Sequence, residues 1–593
     1  MHAARERIIR LYGCISETLG RIRPEFLFLT LVVPLSLATA FLTPPLQAPD
    51  ETQHLFRSWG IATGQVFCSP GSTVSVPKNL FTFAETFEKG VSDDGLFRYS
   101  MLSDWNRSAS LSGPETQVYT QFCSYNPITH LPQAIGMFLA NSVHGSVVST
   151  YYGASFGNAI VAIFLIFLAI RLVPFGKTYF LLAGLASGII GIVTTVNGDA
   201  LSIGGLLFLA ALFLRMSDGR TLGRYDLPVL LAASLLFIHA KPAYIGFTML
   251  AFLIPSRAFP SKRSFLFFLA TFFAANILLA TVLASYADTG SYLRPEGVDP
   301  AAQATFIRSH PLPTVVLIAE ETVTNLPRYI GAKTGRSLPY YAAFAFVVLM
   351  LGLDGIRPSR RTRITLPLIV FGTAALIELL EYLFWNEPGA SNIRGIQSRY
   401  YYGLLPLLFL AAHAPFRRLG SISFPNGLRI IAVTGITITV AASSLIDLDS
   451  KYHKTHLAVI PNGTPVSIDL GECAIKTDDL SIRQDGSVET LADGNYAELD
   501  ASGLSGLSFE TTGTGAIGLR YRFRGDEKFP KKPADDIRST KRVSVDLDTL
   551  AQREGRPLDR IRITFSDRPE AFSVNGLTAY YADSSTSYTC GNR

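Results

Sequence analysis

EFLFLTLVVPLSLATAFLTPPLQAPDETQHLFR, residues 25–57, decides how the rest of the chain is read. Its apolar run, 25–43, is about the length that crosses lipid, where a helix must satisfy its own backbone groups. Thr43-Pro44-Pro45 follows it, not a small-residue cleavage site, so the run reads as a retained signal anchor. Two adjacent carboxylates, Asp50 and Glu51, stand just beyond it. A helical pattern with Phe56, Trp59 and Ile61 comes next.

The composition around this stretch agrees with a membrane setting. Of 593 residues 48% are hydrophobic and only 17% charged, against about 25% charged in soluble proteins. Forty Phe and 24 Tyr against three Trp strengthen the apolar bias. A disordered chain, a nucleic-acid partner and an ordinary cytosolic enzyme are all excluded, and a polytopic α-helical membrane protein is implied. Eleven spans are expected: 25–43, 147–172, 178–196, 199–215, 227–240, 242–256, 264–286, 338–356, 364–385, 399–415 and 427–446. The fifth and sixth are short and broken by His239-Ala240-Lys241-Pro242, as a hairpin or a single kinked span.

Basic residues orient the chain. Arg5, Arg7, Arg10, Arg21 and Arg23 precede the first span. Arg171 with Lys177, Arg215 with Arg220, Arg257 with Lys262, Arg357 with Arg360, and Arg417 with Arg418 mark alternate later loops. With eleven spans all of these face the cytoplasm. That gives a cytoplasmic N-terminus (1–24), a membrane domain (25–446) with outer loops 44–146 and 287–337, and an extracytoplasmic tail (447–593). Short apolar stretches at 128–143 and 312–330 read as helices along the membrane surface.

Cysteine placement fits an oxidising outer face. Cys14 is alone on the inner side, Cys68 and Cys123 share the first outer loop, and Cys473 and Cys590 bracket the tail. Four outer cysteines allow three pairings, of which the local one, Cys68–Cys123 with Cys473–Cys590, is simplest. The tail alternates apolar and polar residues at Val466–Leu470, Ile517–Phe523, Val543–Leu547 and Ile561–Phe565, with Gly, Asp and Ser clusters between. This pattern predicts a β-sandwich, serving as a lid or brace, with sugar binding as the alternative.

Candidate chemistry gathers on the outer face. Asp50 or Glu51 suits a general base, although Asp50 also suits an N-cap of the helix after it. Asp199, in Asn197-Gly198-Asp199, returns to the same face with the same capping alternative. Lys241 stands at the helix break. Arg394 and Arg399 frame Gly395-Ile396-Gln397-Ser398, before a run of tyrosines that starts at Tyr400. Arginine suits bidentate phosphate recognition and lysine offers a point charge, while interfacial anchoring explains the same residues equally simply. Glu378 and Glu381 share one face of the ninth span and are candidate partners for Lys241. His453 and His456 lack the further ligands a metal needs, so no cofactor is expected and a divalent ion has no support.

These motifs together resemble the bacterial membrane-protein family called domain of unknown function 2142. The resemblance rests on Pro49-Asp50-Glu51 with His54 and Arg57, Asn197-Gly198-Asp199, Lys241-Pro242-Ala243-Tyr244, Val298-Asp299-Pro300 with Gln303, and Gly395 to Tyr400. It covers roughly 25–445, with Ser398 where the family has Gly. That family is in turn similar to the GT-C glycosyltransferases, whose first outer loop carries an essential acid and whose donors are typically polyprenyl-phosphate sugars. The resemblance implies a GT-C-like enzyme in the bacterial inner membrane with a lipid-linked sugar donor, a glycan acceptor and membrane lipid as partners. Asp50, Glu51 and Asp199 would be catalytic. Lys241, Arg394 and Arg399 would hold the donor phosphate, and His54, Arg57, Gln397 and Tyr400 would position donor or acceptor. A lipid-glycan flippase or a non-catalytic assembly protein is the competing reading; a flippase would be expected to show paired helix breaks in two related halves.

Overall fold

The structure is a computed structural model. It describes residues 21–325 except 70, 95–96, 98–101, 104, 107–110, 112–113, 144, 220 and 287–296, then 359–413 and 426–452. Beyond these it describes 464–467, 476–478, 480–482, 488–490, 496–501, 504–512, 517–526, 528–530, 535–537, 542–554, 556–565 and 573–581. The chain divides into two units, Met1–Ala84 with Asp104–Leu445, and Glu85–Ser103 with Ile446–Arg593.

The first unit is helical. Its principal helices are α1 (Pro24–Leu42), α2 (Glu51–Ala62), α3 (Leu131–Val143), α4 (Val147–Leu172), α5 (Asp199–Ser217), α6 (Lys262–Tyr286), α7 (Pro311–Thr324) and α8 (Arg360–Trp385); α9 (Asn426–Tyr452) runs on across the division. Among the described residues six of these, α1, α4, α5, α6, α8 and α9, are long and apolar enough to cross a membrane. The protein is therefore a multi-pass membrane protein. Burial grades them: 89% of the apolar window of α5 is buried, against 17–50% for the others. A helix apolar all round belongs at the centre of a bundle, so Asp199 begins the central helix.

Of the eleven expected spans, six are continuous, four are short or broken, and 338–356 lies outside the described residues. The span expected over 178–196 splits into Lys177–Gly184 and Ser187–Val193. Gly188, after the break, lies where a Cβ would sit 2.0 Å from the Tyr402 hydroxyl. The pair at 227–256 becomes an α-helix, Asp226–Phe237, one 3₁₀ turn to Ala240, and a 3₁₀ helix, Pro242–Leu253. Pro242 has no N–H to donate and forces the residue before it to extend. Lys241 is accordingly extended, at φ −140° and ψ 142°. The span expected over 399–415 is a 3₁₀ segment, Ser398–Leu404, followed by the α-helix Leu405–His413.

α3 falls in the stretch 128–143, where a helix outside the spans is expected. It packs antiparallel along the first half of α4, not across it. A Cβ on Gly136 would lie 2.0 Å from the Gly153 carbonyl oxygen, and one on Gly157 would lie 2.4 Å from that of Pro132. Glycine on both helices brings the backbones into contact, the usual route to close helix packing in membranes. Ser146 and Ser149 form a capping box that starts α4 just after the turn. Between α2 and α3, strands β1 (Thr73–Pro77) and β2 (Glu115–Tyr119) pair antiparallel, and a Cys68–Cys123 disulfide ties the same loop.

Among the described residues the second unit has two larger antiparallel sheets and a two-stranded one, Leu480–Ile482 with Val488–Thr490. The five-stranded one orders Asp535–Ile537, Ile517–Phe523, Leu558–Phe565, Tyr496–Asp500 and Lys476–Asp478. The four-stranded one orders Arg542–Asp546, Leu504–Thr512, Ser573–Tyr581 and Thr464–Ser467. Leu519, Tyr521 and Phe523 alternate inward with Arg520 and Arg522 outward, as the period of two requires. Arg560 and Arg562 flank Glu498 on the neighbouring strand, at 3.6 Å and 2.5 Å. Cys473 and Cys590 lie outside the described residues.

The glycine contact yields a stability prediction. Gly136→Ala and Gly153→Ala should each cost about 1–3 kcal/mol, because the added methyl overpacks a backbone contact. Gly372→Ala, where nothing lies within 4 Å of the new Cβ on α8, should be neutral or stabilise by up to about 1 kcal/mol. Thermal unfolding of the three detergent-purified variants reads both expectations.

Candidate functional site

A buried ion-pair chain joins the beginning of α2, the beginning of α5, the break at Lys241 and the 3₁₀ segment at Ser398. Arg399 is its hub. Its Nη2 meets Asp50 Oδ2, its Nη1 donates to the Pro49 carbonyl at 3.0 Å, and its Nε stands 3.0 Å from Asp199 Oδ2. Lys241 Nζ lies 2.8 Å from Asp199 Oδ1 and 3.9 Å from the centre of the Tyr400 ring. The side chains of Asp199 and Arg399 are 3% and 5% exposed and that of Lys241 is 11% exposed, whereas Asp50 is 32% exposed. Asp50 is thus the end of the chain open to a second molecule.

Local structure decides against simple capping at both acids. Asp50 takes the left-handed conformation, φ 61° and ψ 13°, and its carboxylate makes no cap bond to α2. Asp and Asn tolerate that conformation better than other side chains. Asp199 is the first residue of α5, again with no side-chain cap bond before it. Its backbone N–H donates to Asn197 Oδ1 at 2.9 Å, which leaves its carboxylate for the two cations. Asn197 is fully buried, reaches the Pro49 carbonyl at 3.4 Å, and through its own carbonyl accepts from Gln133 and Asn158, each at 3.0 Å.

Glu51 is placed differently from its neighbour. It is 1% exposed, and its oxygens accept from the Tyr151 hydroxyl at 2.8 Å, Val196 N–H at 2.9 Å and Ala48 N–H at 3.0 Å. Burial outweighs these donors and pushes its carboxyl up to about 7. It braces the loop before α2 against Val196 and Tyr151.

A second string runs beside the ions. His54 Nδ1 lies 2.8 Å from His130 Nε2, and His130 Nδ1 lies 2.8 Å from Thr129 Oγ. His54 stacks on Phe122 with ring centres 3.7 Å apart. Burial holds both imidazoles below their usual range, His130 down to about 3, so both are neutral at pH 7. His54 Nε2 is buried with no hydrogen-bond partner among the described residues.

The other expected site residues divide. Arg57 is fully buried and donates to the carbonyls of Gln65 and Val66 at 3.2 Å and 2.7 Å, holding the chain after α2. Gln397 is half-buried and its carbonyl accepts from Tyr400 N–H at 3.1 Å. Arg394 is exposed, with its N–H on Asn386 Oδ1 at 2.8 Å; the structure does not bring its side chain into the ion chain. Among the described residues the close ion pair of Lys241 is with Asp199, while Glu381 of α8 lies within its electrostatic reach. Glu378 accepts from the Tyr401 hydroxyl and, at 3.3 Å, from Asn325. Among the described residues no cluster of three or more His, Cys, Asp or Glu is arranged to hold a metal. His130, Thr129, Gln133, Asn158 and Tyr151 were not expected. The sequence signal for them is polar side chains within or beside apolar helices.

Residues 35–408 match the family described as Predicted membrane protein (DUF2142). No curated protein matches the chain. Among solved structures, the arabinosyltransferase EmbB of Mycobacterium smegmatis, determined by cryo-electron microscopy, is matched at 12% identity with a TM-score of 0.25. The match covers 82% of this chain and 62% of that one, so the chain spans less than two thirds of the length of that protein.

Glu51 and the histidines give opposing pH dependences. The raised Glu51 carboxyl keeps its proton in the folded state up to about 7, while the unfolded chain releases it near 4.5. Its contribution therefore favours folding at low pH and is lost as pH rises from 4.5 to 7. His130 works the other way, its contribution being lost as pH falls from 6.5 toward 3. Glu51→Gln removes the first slope and leaves the second. The variant should be less stable than the wild type at low pH, where the neutral carboxyl contributes most, and between pH 4.5 and 6.5 its melting temperature should rise more steeply with pH than that of the wild type.

Proposed function

We propose, for a chain that belongs to the DUF2142 family of predicted membrane proteins, that the Asp50–Arg399–Asp199–Lys241 chain is the active site of a membrane glycosyltransferase. The enzyme is GT-C-like and moves a sugar from a polyprenyl-phosphate donor to a glycan outside the bacterial cytoplasmic membrane. The N-terminus lies in the cytoplasm, and the second unit is an extracytoplasmic lid or brace. The observation that carries this reading is the ion-pair chain itself, in which a buried arginine and a mostly covered lysine stand with a buried and a partly exposed carboxylate.

Asp50 is the general base. The acceptor hydroxyl gives its proton to this carboxylate as the new bond to the anomeric carbon forms. The bond from that carbon to the phosphate oxygen breaks, and polyprenyl phosphate leaves as a stabilised anion. A single displacement of this kind inverts the anomeric centre. Lys241 meets the phosphate, Asp199 fixes Lys241 and Arg399 in register, and Arg399 aims Asp50. The rival base, Glu51, is disfavoured by its three internal donors and its burial. Arg394, exposed and outside the ion chain, is left without a role in the phosphate site.

Asp50→Asn tests the assignment. Asn keeps the size of Asp and its tolerance of the left-handed backbone but cannot take the proton. With the donor sugar identified by mass spectrometry of surface glycan from a deletion strain, single-turnover transfer should fall about 10²–10⁴-fold while donor affinity stays near wild type. Wild-type turnover in this variant removes Asp50 as the base.

A further inference from the structure

Tyr244 lies one 3₁₀ turn beyond Lys241, and its N–H donates to the Lys241 carbonyl at 3.0 Å. The residue is 1% exposed. Its hydroxyl has no hydrogen-bond partner among the described residues, yet it lies within electrostatic reach of Asp199, Tyr400, Arg399 and Glu381. A buried hydroxyl left unpaired is a penalty that a phenylalanine of nearly the same shape would not incur. Such a group is explained when its partner arrives with a ligand.

Lys241 points to what that ligand carries. Its ammonium has three donors, with Asp199 the one ion-pair partner among the described residues and the Tyr400 ring beneath it. Proline at the first position of the Pro242–Leu253 helix stiffens the turn that joins the two side chains. A cation and a neutral donor held one turn apart suit an oxyanion with more than one acceptor oxygen. We propose that the Tyr244 hydroxyl and the Lys241 ammonium together form a phosphate subsite, with Tyr244 donating to a second oxygen of the phosphate that Lys241 binds. This rests on the donor class assigned above and adds a residue to it. The proposal also separates Tyr244 from Tyr400, whose ring supports Lys241 from below.

The test measures binding of undecaprenyl phosphate and of undecaprenol to the full-length protein in detergent, with inorganic phosphate as competitor. Wild type should prefer the phosphorylated lipid. Tyr244→Phe should reduce that preference roughly tenfold or more, the range of a hydrogen bond to a charged group, and Lys241→Ala should abolish it. Without ligand, Tyr244→Phe should melt at or above the wild-type temperature, since it deletes an unpaired hydroxyl. Undiminished preference in Tyr244→Phe alongside a loss in Lys241→Ala overturns the role of Tyr244 and leaves the donor assignment standing. A lower melting temperature with preference intact marks a structural hydroxyl and overturns it too. Equal binding of the two lipids by wild type removes the donor assignment, and the subsite with it. Competition by inorganic phosphate that matches binding of the lipid would mark a free-phosphate site and overturn the lipid-donor form of the proposal.

Discussion

Arg399 reaches Asp50, the Pro49 carbonyl and Asp199 with one guanidinium, joining segments as far as 350 positions apart in sequence. Each ion taken out of water loses several kcal/mol of hydration, and only close pairing offsets that loss. The chain contains two acids and two bases, so its formal charges cancel. Removing Arg399 alone would leave Asp199 with Lys241 and release Asp50 with no ionic partner. The planar fork of arginine is suited to this task, because it presents donors along several fixed directions at once. Lysine at this position would offer one charged nitrogen in place of three held in a fixed plane.

The surrounding neutral groups explain why the ions stay in register. Asn197 and Arg399 both reach the Pro49 carbonyl, which fixes the residue before Asp50 from two sides. A left-handed non-glycine residue costs of order 1–3 kcal/mol and persists where its surroundings over-determine it. Asp50 meets that condition through the Pro49 carbonyl on one side and the Glu51 brace on the other. The histidine string supplies a polar wall without another positive charge. Protonating His54 or His130 would add a cation to a region that already contains Lys241, Arg399 and Arg57, so burial and charge act together to keep the rings neutral.

Much of this was legible in the sequence because chemistry and periodicity are local properties. Six apolar spans, the family resemblance, both site acids, Lys241 and Arg399 could be read from runs and motifs. What was not legible depends on direction and on distant partners. Asp50 and Asp199 each looked equally suited to capping a helix, and only the placement of Arg399 and Lys241 shows where their carboxylates point. Arg394 and Arg399 looked alike, five residues apart, yet one is exposed and the other is the hub. Apolarity alone gave α3 no packing partner, because the signal that places it against α4 is a pair of glycines on separate segments. The tract at 178–196 is apolar on average, so hydropathy did not register the break at Ala186. His130 was hidden because its partner lies 76 positions away.

The two cations of the site have different capacities left for a ligand. The three guanidinium nitrogens of Arg399 each already face an oxygen: Nε that of Asp199, Nη1 that of Pro49 and Nη2 that of Asp50. Arg399 is already paired with two carboxylates, Asp50 and Asp199, and an anion arriving there would meet the very carboxylate proposed as base. Lys241 is a rotatable point charge with one ion pair among the described residues, so it can add an oxygen while keeping Asp199. On the proposed reading the rigid cation serves internal order, while the flexible one offers donors to the substrate. A phosphate arriving at Lys241 would also bring negative charge toward Asp199. The second cation on Asp199, Arg399, is what allows that approach without leaving the acid unpaired. Internal neutrality before binding and spare donor capacity at one end are therefore complementary properties of one arrangement.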